Sequence, residues 1–155
     1  MKNKLVVHDN KTLRLENVLI RDISDDLFQK DISIDFIAAQ MENMMANKGV
    51  NPVGPLIQYM DASAEGREPQ TVIMLQCDIF IDRLEKCYEM VDVLRIKNCM
   101  YLRFQGLEED LPIAYQKIKV EAYERDIELK GSSYTVFVNM DDIDDIIVDI
   151  FMEKA

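Results

Sequence analysis

Two segments of this chain read as amphipathic helices, each ended by a glycine turn and followed by strands. That repeated order limits the fold more than any other feature of the sequence. Ile34, Ile37, Ala38, Met41, Met44 and Met45 recur at intervals of three and four, the spacing of one helical face. Asp31 or Ser33 can cap the start, Lys48-Gly49 stops the helix, and Asn51-Pro52-Val53-Gly54-Pro55 forbids a restart. In the second half Leu111, Ala114, Tyr115, Ile118, Ala122 and Leu129 mark another buried side. Asp110 is its expected cap, Pro112 is tolerated in its first turn, and Lys130-Gly131 is its expected end. Gly54 and Gly131 are 77 residues apart, half of the 155-residue chain.

The segments between read as strands. Thr12 to Ser24 is apolar at Leu13, Leu15, Val18, Leu19 and Ile20, with a bend expected near Asn17 and a polar stretch from Asp25 to Asp31 after it. Leu56 to Asp61 is a short strand, and Glu65-Gly66-Arg67-Glu68-Pro69 is a turn. Thr71 to Ile81 has one wholly apolar face (Ile73, Leu75, Cys77, Ile79, Ile81) and one mixed face that includes Met74 and Phe80. Met90 to Ile96 and Cys99 to Gln105 are two strands or one bent strand, interrupted at Lys97-Asn98 and ended by Gly106. Tyr134 to Asn139, an acidic loop over Asp141 to Asp145, and a final strand Ile146 to Met152 complete the chain.

Strand, helix, strand, strand thus occurs twice. The expected fold is α+β: duplicated strand-helix-strand-strand units, with helices packed on one side of a mostly antiparallel sheet around a central cleft. The whole of 1–155 forms one pseudo-duplicated domain, its halves lying at approximately 12–81 and 88–153.

Charge narrows the function. Eighteen Lys and Arg against 29 Asp and Glu give a net charge of -11, which repels phosphate backbones and anionic membrane surfaces. No nucleic acid and no membrane is expected as a partner, and no apolar run approaches the roughly 18 residues of a membrane span. The amino terminus lacks a signal-peptide core. Cys77, Cys87 and Cys99 form no CxxC pair, and His8 is the one histidine. A zinc site, a disulfide framework and a catalytic histidine are therefore not expected, and reduced thiols place the protein in the cytoplasm. No phosphate-binding glycine loop, HExxH or nucleophile elbow is present, so no cofactor and no metal is expected. The acidic loop lacks the turn glycine of a calcium loop and reads as solvated. Met41 to Met45 fit a helix core better than a peptide groove.

The strand faces offer a site. Asp149 stands between Ile147 and Phe151 on one face of the last strand, where a carboxylate is costly to bury unless something pairs with it. With Tyr59, Tyr101, Phe137 and Met74 from other strands, Asp149 and Phe151 would line an aromatic, methionine-containing pocket with an acid inside. Such a pocket suits a hydrophobic cation through area burial, cation–π attraction and charge pairing. Otherwise, Asp149 lies on a solvent-facing edge and the tyrosines are ordinary half-buried residues.

The second half resembles the gyrase-inhibitor-like, or effector-binding, superfamily, which includes the sensor domains of multidrug-responsive regulators. The resemblance rests on Cys99-Met100-Tyr101-Leu102-Arg103-Phe104-Gln105-Gly106, the helix segment Leu111-Pro112-Ile113-Ala114-Tyr115, Gly131, Tyr134, and the closing Val148-Asp149-Ile150-Phe151-Met152. It implies a pseudo-twofold pair of units and a cleft for small, often cationic or amphipathic molecules. Family members usually place a glutamate at the cleft floor in the last strand. Here the matching residue is Asp149, one methylene shorter, and Met152 stands where a proline is frequent.

The expected function is non-enzymatic binding of a small amphipathic organic molecule in the central cleft, with an organic cation countered by Asp149 as the specific expectation. A protein-binding accessory that docks a basic partner or a second copy is the alternative. A cofactor-independent hydrolase comes third, and would need Glu153 beside Asp149 as a second titratable group.

Overall fold

The computed structural model describes residues 4–23, 33–62 and 69–155. The elements are β1 (His8–Asp22), α1 (Ile34–Asn47), β2 (Ile57–Asp61), β3 (Gln70–Gln76), β4 (Tyr88–Gly106), α2 (Leu111–Glu124), β5 (Ser132–Asn139) and β6 (Ile146–Glu153), with a 3-10 turn over Glu108–Asp110. The strand pairs are antiparallel, and with the two helices they make an α+β fold. The polar stretch after β1, Asp31 as a cap and the Glu65-Gly66-Arg67-Glu68 turn lie outside the described residues. Two compact units divide the chain: Arg14–Leu94, and Met1–Leu13 with Arg95–Ala155.

In the unit 14–94, β3 is central and antiparallel to both β1 and β2. Its register aligns Ile20, Met74 and Ile57 in one row and Asp22, Val72 and Tyr59 in the next. Helix α1 covers the other face of this sheet. Its Ile37, Met41 and Met45 are fully buried against Leu19, Ile73, Leu75 and Cys77, each worth roughly 1.5–3 kcal/mol of burial. The Ser33 hydroxyl caps the helix by accepting the Phe36 N–H at 3.2 Å. At the other end Gly49 takes φ +72°, and the Val50 N–H reaches back to the Met45 carbonyl at 2.9 Å. That left-handed residue closes the helix and delivers Val50 to the core.

Strand β3 ends at Gln76, five residues before the expected Ile81. The Asp78 carboxylate accepts from the backbone and side chain of Asn51, both at 3.0 Å, and draws the chain out of the ladder. Ile79 is consequently 53% exposed, while Cys77 and Ile81 still reach the core.

In the unit 95–155 with 1–13, β6 is central and antiparallel to β4 and β5. Helix α2 sets Ala114, Ile118 and Ala122 onto Met100, Leu102, Phe104, Val148 and Ile150. Asp110 holds the cap position without a side-chain cap bond, because the 3-10 turn feeds directly into the helix. The helix stops at Glu124, short of the expected Lys130. Asp126, at φ +55°, does what Gly49 does in α1, and the Ile127 N–H reaches the Ala122 carbonyl at 2.8 Å. Leu129 thus packs on the core from the segment beyond the helix.

Several contacts in the first unit recur in the second 77 residues on. The helix-closing bonds of Gly49 and Val50 match those of Asp126 and Ile127. The bridge Pro52 with Cys77 matches Leu129 with Lys154. The bond from the Val53 N–H to Gln76 O (2.9 Å) matches Lys130 to Glu153 (3.0 Å), and Asp78 to Asn51 (3.0 Å) matches Ala155 to Glu128 (2.8 Å). The first strands are analogous too: Asn17 (φ +48°) accepts from the Cys77 N–H, and Asn98 (φ +58°) accepts from the Lys154 N–H. Asn98 lies within the single strand β4, which bends there without breaking.

Candidate functional site

Strand β6 sends Ile146, Val148, Ile150 and Met152 toward α2. Alternation turns Asp149 and Phe151 away from it. Register then selects their neighbours. Arg103 and Val136 flank Asp149, and Tyr101 and Tyr134 flank Phe151.

Asp149 is fully engaged. Arg103 grips it with a fork: Nε donates to Oδ1 and Nη2 to Oδ2, each at 2.8 Å. The Tyr101 hydroxyl donates to the same Oδ1 at 2.8 Å. The Asp149 side chain is 13% exposed and that of Arg103 is 53% exposed, so the acid is the sequestered partner and the guanidinium the wet one. Three charge-assisted bonds meet the cost of withdrawing a carboxylate from water. Burial, and then the Asp149 carboxylate, push the Tyr101 phenol up to about 12. The hydrogen bond to Asp149 holds Arg103 firmly in its charged form. The rings of Tyr101 and Phe151 lie 4.9 Å apart at 41°, and the ring of exposed His8 stands 5.9 Å from that of Tyr101.

Tyr101, Asp149 and Phe151 are therefore brought together as one aromatic and acidic group. Phe137 does not join them. It pairs with Val148 and packs on the helix-side core, next to Thr135, whose hydroxyl bonds that of Tyr115 on α2. Tyr134 and Val136 take the positions beside Asp149 and Phe151 instead. Alternation within β5 separates these two sets, but only the pairing with β6 says which set shares the Asp149 face. Arg103 is the member of this group that the sequence reading did not name. Its signal was present: it stands two residues from Tyr101 in the same strand, hence on the same face.

Tyr59 and Met74 lie in the unit 14–94, on the sheet face turned away from α1. Met74 is 5% exposed, and the Tyr59 hydroxyl donates to Asp61 at 3.3 Å. A cavity of about 270 Å³ opens on that face, lined by Ile20, Asp22, Gln70, Val72, Lys86, Cys87 and Glu89.

The two acids considered for hydrolysis are each engaged by a cation. Glu153 is bound to Lys130 at 2.9 Å and Asp149 to Arg103 at 2.8 Å, so the two carboxylates serve separate cations. Cys77 and Cys99 are buried and Cys87 is exposed. Burial raises both buried thiols, Cys99 to about 11. Among the described residues no three His, Cys, Asp or Glu side chains gather to hold a metal. The acidic loop closes on itself, with the Asp142 carboxylate accepting the Asp144 N–H at 2.9 Å.

No protein-family model matches the sequence, and no curated protein matches it significantly. Solved structures do share its fold. The EcmrR C-terminal domain superposes with a TM-score of 0.63 at 14% identity, over 100% of this chain and 99% of that one. In a complex of EcmrR with DNA, this chain matches 57% of the EcmrR chain. A hydrolase encoded by lin2189 from Listeria innocua matches at 0.57 and 9% identity, over 98% and 92% of the chains. SAV2435 bound to tetraphenylphosphonium matches at 0.54 and 10% identity, over 99% and 94%.

Proposed function

We propose that this chain is a duplicated domain of the gyrase-inhibitor-like, effector-binding kind. In this reading it binds a small amphipathic organic molecule on the sheet faces turned away from its helices. The observation that carries the reading is the group formed by Tyr101, Phe151 and Asp149. It places two tilted aromatic rings and an internally paired carboxylate on the face that α2 does not use. Flat apolar walls with a few fixed polar groups are what orient a small organic ligand. Tyr59 and Met74, at corresponding register positions of the unit 14–94, are proposed as ligand contacts of their own face. The 77-residue recurrence of helix ends, bridges and hydrogen bonds supports the duplication. The fold likeness to SAV2435, solved with tetraphenylphosphonium, supports an aryl-bearing amphipathic organic molecule as the ligand, without fixing its charge. Three free thiols fit a reducing cytoplasm.

Calorimetric titration tests this with three aryl probes of similar shape: neutral triphenylphosphine oxide, tetraphenylphosphonium and tetraphenylborate. At least one should bind saturably with one-to-one stoichiometry. Tyr101→Leu should weaken it by on the order of tenfold, the scale of one lost aromatic contact. Absence of saturable binding for all three, or equal affinities for wild type and Tyr101→Leu, would contradict the reading.

A further inference from the structure

We propose that Arg103 sets the charge preference of this site. Its guanidinium already holds the place on Asp149 that a cationic ligand would need. The site therefore favours neutral or anionic amphipathic molecules and admits a cation only by displacing Arg103. This inference rests on the ligand-binding reading above and supplies the ligand's charge.

Arg103 and Asp149 are directly opposed across the β4–β6 pair, so the strands bring them together before any ligand arrives. The fork contributes two parallel N–H···O bonds at 2.8 Å, and the Tyr101 hydroxyl adds a third bond on Oδ1. A quaternary organic cation has charge but no N–H to donate. Replacing the fork with such a cation exchanges two directional, charge-assisted bonds for a diffuse contact, a poor exchange for a carboxylate that is 13% exposed. A neutral ligand leaves the pair intact and uses the rings of Tyr101 and Phe151. An anion meets a carboxylate already neutralised and a guanidinium 53% exposed. The same exposure makes displacement reversible, since Arg103 can swing into water with its charge solvated. The chain's own arginine thus acts as a resident counter-ion.

The test uses tetraphenylphosphonium and tetraphenylborate, near-identical in shape and opposite in charge, with triphenylphosphine oxide as the neutral reference. Wild type, Arg103→Met and Asp149→Asn are titrated by calorimetry, with circular dichroism confirming the fold. Arg103→Gln, which keeps a polar head, stands in if the methionine variant does not fold. Wild type should bind the borate and the oxide more tightly than the phosphonium. Arg103→Met should tighten phosphonium binding by on the order of tenfold, the scale of one charge-assisted hydrogen bond, and leave the oxide within a few-fold. Asp149→Asn, which removes the negative charge beside Arg103, should tighten borate binding. A phosphonium-to-borate preference that is the same in wild type and the Arg103 variants would overturn this proposal alone. If none of the three probes binds any variant, the ligand-binding reading fails first and the proposal fails with it.

Discussion

A single hydroxyl at Tyr101 connects the aromatic pair to the carboxylate, and its ionisation is readable. The phenol is pushed from 10.0 to about 12 in the folded protein. A group whose folded value is raised stabilises the fold fully below its unfolded value and loses that contribution as pH rises through the folded one. Wild type should therefore lose more stability than Tyr101→Phe between about pH 10 and 12 in denaturant titrations. At neutral pH, Tyr101→Phe should cost about 1 kcal/mol for the lost hydrogen bond. Equal pH profiles for the two proteins would detach the hydroxyl from Asp149. The cysteines give an independent check. Cys87 is exposed while Cys77 and Cys99 are buried with raised thiols, so a maleimide at neutral pH should label Cys87 alone until denaturant is added. Much of this scale was legible in the sequence, because alternation in β6 sets Asp149 beside Phe151 on one face. Alternation likewise puts Arg103 on the face of Tyr101, but its fork onto Asp149, 46 residues away in sequence, depends on register and was not legible. Phe137 was misplaced for the same reason.

The helices show where local chemistry speaks and where it misleads. The end of α1 could be read because Gly49 is the residue that the left-handed position favours. The end of α2 could not, because Asp126 fills that position and the nearest glycine, Gly131, lies beyond the helix. Asp126→Gly should accordingly stabilise the protein by roughly 0.5–1 kcal/mol, by removing the side-chain penalty at φ +55°. Gly49→Ala meets no atom within 4 Å yet imposes φ +72° on a side chain, and should cost about 1–2 kcal/mol. Urea titrations measure both, and a destabilised Asp126→Gly would remove the analogy between the two helix ends. The apolar stripes that called for two helices were reliable. Ile118, on the core side of α2, is fully buried, and Ile118→Ala should cost about 2–5 kcal/mol. Strand β3 ended early because Asp78 found a partner in Asn51, a contact 27 residues long that alternation cannot announce.

For the whole molecule, strand, helix, strand, strand occurs twice along the chain, and several backbone bonds recur at a spacing of 77 residues. In each unit the last strand of the set is central, between the first and second. The sequence carried the element order, and the pairing partners came only with the structure. The measurement that tests the central claim most directly is an amide and side-chain NMR titration of the wild-type protein with triphenylphosphine oxide. The account predicts saturable shifts at Tyr101, Arg103, Tyr134, Asp149 and Phe151, with Phe137 and Ile118 on the helix side little changed. Shifts centred on the helix-side core, or none that saturate, would contradict it.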